Sequence, residues 1–371
     1  MILTLSRSPR LAVALLLVGV GCESPAPSLP IEYETTNLRI GSDRSICQGD
    51  LHTFERAISF MEDDLGLELA QPVTVYLWSS AGWEARGADA CSLWAHAFGC
   101  YDYTHSTVYA SLYSLYHELA HAVVNNQKLD VFFNEGIANA YGGRNLPFGE
   151  TAPTSNAYLS RENYDHLTSA HFTRWLRERW GGYKLGRLAT LDGSAFDNFE
   201  HVYGVSLHEA EALYFAEAPS MYPSLYGCSD PELPTRDLTG GWAEEIKLDC
   251  DHSDTLAGGL GLMAKRTLVV DEDGRYSLFT NAVVLSAHRC ADGPISAYVD
   301  DPELHEDDIP PEYAAYPSPH LRYFEGGEVH TVELRRGRYS FTVSSESFEP
   351  GSVAIAVWPS LSPGPVDPGG I

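Results

Sequence analysis

The stretch Tyr116-His117-Glu118-Leu119-Ala120-His121-Ala122-Val123-Val124, followed by Phe132-Phe133-Asn134-Glu135-Gly136-Ile137-Ala138, decides how this chain is read. Residues four apart on a helix lie one turn apart on the same face, so His117 and His121 present both imidazoles to one point. Leu119, Ala120, Ala122, Val123 and Val124 are apolar, which predicts a buried helix rather than a surface helix with two incidental histidines. Two histidines and a glutamate inside such a helix need a compensating partner, and a metal ion supplies one. Two protein ligands rarely suffice, and the next candidate is Glu135. Asn125-Asn126-Gln127-Lys128 reads as a turn, and an antiparallel helix pair joined by it brings Glu135 opposite the histidines. Glu118 sits beside the same face, within reach of a water on the metal. Gly136 leaves room for backbone or substrate to approach.

Working outward, residues 32–40 read as a short strand, Leu51–Leu65 as an amphipathic helix, and Pro72–Trp78 and Ser106–Ser111 as strands. From Leu112 to Ala218 the pattern is mostly helical, over Leu115–Asn125, Val131–Tyr141, Leu167–Trp180 and Leu207–Glu217, with Gly181-Gly182 and Gly204 as breakers. After Pro219 the segments Arg275–Leu285, His330–Leu334 and Arg338–Ser344 are short, β-rich and separated by Gly, Asp and Pro. Val299–Glu312 is acidic and reads as a solvated loop, with a calcium site as the rival.

The chain has 371 residues, 51 acidic against 24 basic, a net charge of −27 and 44% hydrophobic residues. Such a length holds about two domains with a sizeable core. The charge argues against a nucleic-acid partner, because phosphate backbones attract Lys and Arg. Arg7 and Arg10 precede the apolar run Leu11–Val20, which predicts a signal peptide over residues 1–21. Gly21-Cys22 resembles a bacterial lipobox, although Gly19 stands where that pattern usually has Leu. It implies a lipid anchor on Cys22, an outer-membrane or cell-surface location and a flexible tether over residues 22–32; a periplasmic or secreted protein is the alternative. Setting Cys22 aside leaves Cys47, Cys91, Cys100, Cys228, Cys250 and Cys290, enough for three disulfides in an exported protein. Cys91 and Cys100 are close enough for a local loop, and Cys228 with Cys250 or Cys290 would staple the carboxyl part.

His117-Glu-Leu-Ala-His121 followed by Asn134-Glu-Gly-Ile-Ala138 resembles the gluzincin branch of zinc metallopeptidases, as found in bacterial peptidase MA-like lipoproteins. The segments Ala170–Leu185 and Phe199–Glu211 are similar to helices that follow the active site in such proteins, so the resemblance covers roughly residues 33–218. It implies zinc on His117, His121 and Glu135, with Glu118 as general base. It also implies an oxyanion donor, at about His166, with Tyr164 and His171 as rivals. Asn139, one turn after Glu135, is placed to orient a ligand imidazole. Nothing like the GxMEN signature precedes His117, which disfavours an aminopeptidase. The strand at Ser106–Ser111 is expected to offer an edge to an extended peptide.

The expected fold class is α+β. A zincin-like catalytic domain over 33–218, with a small sheet, an active-site helix and a helical subdomain, precedes a β-rich domain over 219–371. The expected function is that of an exported, monomeric zinc metallopeptidase acting on a peptide or protein substrate, touching a membrane only through Cys22. The alternative is an inactive surface lipoprotein that keeps a structural zinc site and serves as a binding module.

Overall fold

The computed structural model describes residues 28–91, 98–143, 146–148, 151–156, 165–219, 221–222, 224–226, 231–233, 241–258, 261–289 and 322–360. The expected signal peptide, Cys22, Tyr164, Cys228, Cys290 and the acidic stretch 299–312 lie outside the described residues. Among those described, no helix is long and apolar enough to cross a membrane.

The amino-terminal part mixes a sheet with helices. The single strand expected over 32–40 is two strands, β1 (Ile31–Glu34) and β2 (Leu38–Ser42), paired antiparallel. Thr35 N–H closes the turn between them on Leu38 O at 2.9 Å, and Glu55 braces it, its carboxylate accepting from the Asn37 backbone N–H and side-chain amide, both at 2.9 Å. Helix α1 (Gln48–Leu65) then crosses over to β3 (Val73–Trp78), which pairs parallel with β2; parallel neighbours require such a crossover. Two helical turns, α2 (Ser80–Gly82) and α3 (Ala88–Ala90), flank a π-turn at Trp83–Gly87. Strands β4 (Gly99–Asp102) and β5 (Thr107–Ser111) complete a sheet of order β1-β2-β3-β5-β4.

Helices α4 (Leu115–Val124), α5 (Val131–Ala140), α7 (His166–Trp180), α8 (Gly182–Thr190), α9 (Ala195–Tyr203) and α10 (Leu207–Glu217) follow, with the single turn α6 (Pro153–Asn156) and the two-residue pair β6 (Leu146–Pro147) and β7 (Met221–Tyr222). One apolar core joins the sheet to these helices: Leu38, Ile40, Val73 and Val75 meet Phe54, Ile58 and Met61 of α1, Leu119 and Val123 of α4, and Ile137 of α5. A half-buried ion pair clamps the layers. Arg177 of α7 donates from Nε and one Nη to both oxygens of Asp64 on α1, at 2.8 and 2.9 Å, and Tyr141 after α5 donates its hydroxyl to the same carboxylate. Burial works against the Arg177 charge, but Asp64 and Glu178 more than offset this and raise its pKa.

The carboxyl-terminal part is built of antiparallel strands: β8 (Trp242–Leu248), β9 (Thr255–Ala257), β10 (Leu262–Val270), β11 (Gly274–Thr280), β12 (Val284–Arg289), β13 (Arg322–Glu325), β14 (Val329–Leu334), β15 (Gly337–Ser344) and β16 (Gly351–Pro359). They form two sheets, β13-β12-β15-β10-β9 and β14-β11-β16-β8. Leu268, Phe341 and Val343 of the first share one core with Ile246, Leu278 and Ile355 of the second.

Two disulfides are present among the described residues. Cys91–Cys100 closes the expected local loop. Cys250 bonds with Cys47 rather than with Cys228. The reason is packing: the start of α1 lies on the turn after β8, where Gln48 N–H donates to Cys250 O at 2.9 Å and Ala257 N–H donates to the Asp50 carboxylate at 3.0 Å. Such bonds fit an extracellular or periplasmic compartment.

Candidate metal centre

Helix α4 starts where Ser114 sends its hydroxyl to the Phe98 carbonyl, tying the helix to the beginning of β4. It ends at Asn125, whose left-handed backbone (φ 44°) lets its N–H return to His121 O at 2.8 Å. The expected turn follows, with Lys128 N–H donating to the Asn126 side chain at 3.0 Å. Asp130 opens α5 and also accepts from Ser194 Oγ at 3.0 Å, so the start of α5 is tied to the start of α9.

This connection brings His117, His121 and Glu135 together. Among the described residues they are the group whose donor atoms converge, all within 4.8 Å of one another. The two Nε2 atoms are 3.2 Å apart, and Glu135 Oε2 lies 3.3 Å from His117 Nε2 and 3.7 Å from His121 Nε2. Four-coordinate zinc with bonds of about 2.0–2.1 Å has a tetrahedral edge of about 3.3 Å, which these separations bracket. His121 and Glu135 are buried, with 5% and 4% exposure, while His117 is partly open. Three lone-pair-bearing atoms facing one another out of water repel unless a cation sits among them.

The proton balance shows the same demand. Burial works against a charged His121, but Glu135, then Glu118 and the Asn134 carbonyl, hold a proton on it and raise its pKa. Burial likewise works against a charged Glu135, and the two histidines hold it well below the usual carboxylate range. The group can thus bind a metal ion, and its donor set of two imidazoles and a carboxylate is one that catalytic zinc takes.

One ligand, His121, has a polar side-chain partner to which the sequence assigned no role, Asn134, and Asn134 in turn meets Tyr103. Asn134 Oδ1 lies 3.1 Å from His121 Nδ1, and Asn134 Nδ2 donates to Tyr103 Oη at 3.2 Å. With the amide nitrogen turned to Tyr103, its carbonyl faces His121. Nδ1 is then the donor, leaving the Nε2 lone pair directed at the other two ligands. The signal in the sequence is a polar Asn134 inside the apolar run Phe132–Ala138; nothing there shows which way it faces. Asn139, the residue expected to orient an imidazole, instead donates its amide to Glu135 O at 2.9 Å within its own helix.

Glu118 is 4% exposed and lies against β4: a Cβ built on Gly99 would sit 2.7 Å from Glu118 Oε1. Gly99 is therefore what allows strand and carboxylate to meet. Strand β5, expected to offer an edge, is flanked on both sides by β3 and β4, and all five of its residues are buried. Among the described residues its neighbour β4 is the edge strand, because the Gly99–Asp102 pairing with β5 takes only one side of it.

His166 is outside the convergent group. It is the first residue of α7 and exposed. Helix α7 lies on α5 with Ser169 Oγ donating to Phe132 O at 2.6 Å and Thr173 against Gly136, so His166 is level with residues ahead of α5. Its rival His171 is fully buried elsewhere, 2.9 Å from the Tyr214 hydroxyl and edge-on to Phe148.

No family model matches the chain, and no curated protein does. Among solved structures, the pre-peptidase C-terminal domain of a collagenase from Bacillus anthracis is similar. The match covers 31% of this chain and 87% of that one, at 13% identity and a TM-score of 0.18. A likeness of that size carries no inference about activity.

Proposed function

We propose that the protein is an exported zinc metallopeptidase with a zincin-like catalytic unit over residues 33–218 and an accessory β-rich unit over 219–371. The observation that carries this reading is Glu118. It is a buried carboxylate one residue from His117, outside the three-donor group, and held against the edge strand β4. A purely structural metal site has no use for it, whereas hydrolysis needs a base beside the metal.

His117, His121 and Glu135 would hold zinc, which when bound supplies Lewis acidity toward water and toward a carbonyl oxygen. The chain's own residues do the rest. An extended peptide adds to the side of β4 that no described strand pairs with, by backbone hydrogen bonds. Glu118, at the Gly99 end of that strand, accepts a proton at its carboxylate from the attacking water and returns it to the leaving nitrogen. Asn134 holds His121 in the ligating tautomer. His166 as an oxyanion donor has its exposed place at a helix start in its favour and the α7–α5 register against it, so the reading rests on Glu118. We further propose that the protein is a monomer tethered through lipidated Cys22 at the outer membrane. Its acidic exterior then favours cationic peptides by steering.

The test is a peptide-library digest of the full chain with and without chelator, beside Glu118→Gln. Cleavage that is lost on chelation, restored by zinc and abolished in a Glu118→Gln protein that still binds zinc is the expected result. Unchanged cleavage by that variant overturns the mechanism. Zinc binding with no cleavage of any peptide instead establishes the inactive binding module.

A further inference from the structure

Strand β4, outermost among the described strands of its sheet, and the metal-bearing helices are joined by two tyrosine hydroxyls. Tyr101 on β4 donates to Asn125 Oδ1, at the end of α4, at 3.3 Å. Tyr103, just past the strand and packed edge-on against Tyr101 with ring centroids 4.7 Å apart, accepts from Asn134 at 3.2 Å. Only the second leads to a ligand, because Asn134 continues to His121 Nδ1 at 3.1 Å. Asn134 is buried at 9% exposure, so its amide has little water to turn to if the phenol oxygen is removed. An amide free to rotate can offer either its oxygen or its nitrogen to His121. The second choice forces the tautomer with hydrogen on Nε2, which cannot ligate.

We propose that Tyr103 is a positioning residue for the metal centre, acting through Asn134 to keep the His121 Nε2 lone pair on the metal, and that it couples the β4 edge to that centre. This rests on the metal-site reading above. Tyr103 makes no contact with the metal in this scheme; its phenol oxygen fixes which end of an amide faces a ligand.

The experiment is a double-mutant cycle on zinc affinity, measured by chelator competition in the full chain. The variants are Tyr103→Phe, Asn134→Ala and the pair, with Tyr101→Phe as control. Far-ultraviolet circular dichroism of each zinc-free protein verifies folding. Loss of a ligand-orienting partner costs about 10–100-fold in metal affinity, and a hydrogen bond one step further out about 3–10-fold. Asn134→Ala should show the first and Tyr103→Phe the second, with a changed visible spectrum of the cobalt(II)-loaded protein. In the Asn134→Ala background, Tyr103→Phe should change affinity by less than about 2-fold, because nothing remains for it to orient. Tyr101→Phe, which keeps the strand and ring and loses a hydroxyl that reaches Asn125 and Ser106 rather than Asn134, should bind zinc as the wild type does.

Equal effects of Tyr103→Phe in both backgrounds, an unchanged affinity, or an equal loss in Tyr101→Phe overturns the proposal while leaving the zinc site intact. A wild type that binds no zinc overturns the metal reading itself and the proposal with it.

Discussion

Gly136 sets two known effects against each other. Replacing glycine by alanine inside a helix stabilises by about 1 kcal/mol from propensity alone. At Gly136, however, the new Cβ would lie 2.3 Å from Thr173 Oγ1, 2.8 Å from Ser169 Oγ and 3.0 Å from the Ser169 carbonyl oxygen. Thr173 and Ser169 are both fully buried, and Ser169 Oγ is already engaged with Phe132 O. The backbone carbonyl cannot swing away. Bringing the closest contact to ordinary separation requires α5 and α7 to part by about 1 Å, and overpacking of that kind costs about 2–3 kcal/mol. The clash wins, leaving a net loss of about 1–2 kcal/mol, or a melting point lower by about 2–8 °C. Because Glu135 is the adjacent residue, the displaced helix should also weaken zinc binding by about 10-fold or more. Removing the nearest obstacle with Thr173→Ala in the same chain should recover part of both losses. Thermal melting and chelator competition on the single and double variants measure this. A Gly136→Ala protein as stable as the wild type, or more so, refutes the close-packing argument and leaves propensity as the governing term.

Two further predictions concern protons. His171 is buried among aromatic rings, and burial, with the nearby Arg174 charge, pushes its pKa down to about 3 against a partial offset from the Pro219 carbonyl. Its folded value lies below its unfolded value of 6.5, so the stability gained by burying it neutral is present above that value and is lost as pH falls toward 3. The loss is at most on the order of 5 kcal/mol. Urea unfolding from pH 7 downward should show it, and His171→Gln should flatten that slope; an unaltered slope counts against the assignment. The second concerns zinc, which requires a neutral imidazole. His121 has its pKa raised by Glu135 against the effect of burial, so lowering the pH should begin to weaken zinc binding above the ordinary histidine value of 6.5. Calorimetry in buffers of different ionisation enthalpy should detect the proton released on binding, and an affinity that stays flat down to about pH 5.5 would contradict it.

Much of this was legible from local pattern. The four-residue spacing of His117 and His121 on an apolar helix, the polar turn at 125–128 and Glu135 beyond it were enough to name the three donors that the structure brings together. The helix α10 was bounded to the residue from its apolar pattern behind the breaker Gly204, and the local Cys91–Cys100 loop was visible from its short separation. These features depend on neighbours in the chain, and short-range geometry is written in the order of residues.

What the sequence left open depends on which distant elements touch. It offered Ser106–Ser111 as a free edge, and the sheet order places that strand inside, with β4 outermost. It read residues 32–40 as one strand because the local Thr35–Leu38 turn is braced by Glu55, on a helix further along. It assigned Asn139 to an imidazole because one turn of helix separates it from Glu135, whereas the crossing of α4 and α5 turns Asn134 toward His121. It offered Cys228 as a partner for Cys250, and the seat of α1 on the turn after β8 gave that cysteine to Cys47. The chain order determined the chemistry available at the centre, because helical periodicity acts over a few residues. Only the tertiary structure decided which carbonyl, amide and strand edge surround it, because those contacts are made by segments that meet only after the core has packed.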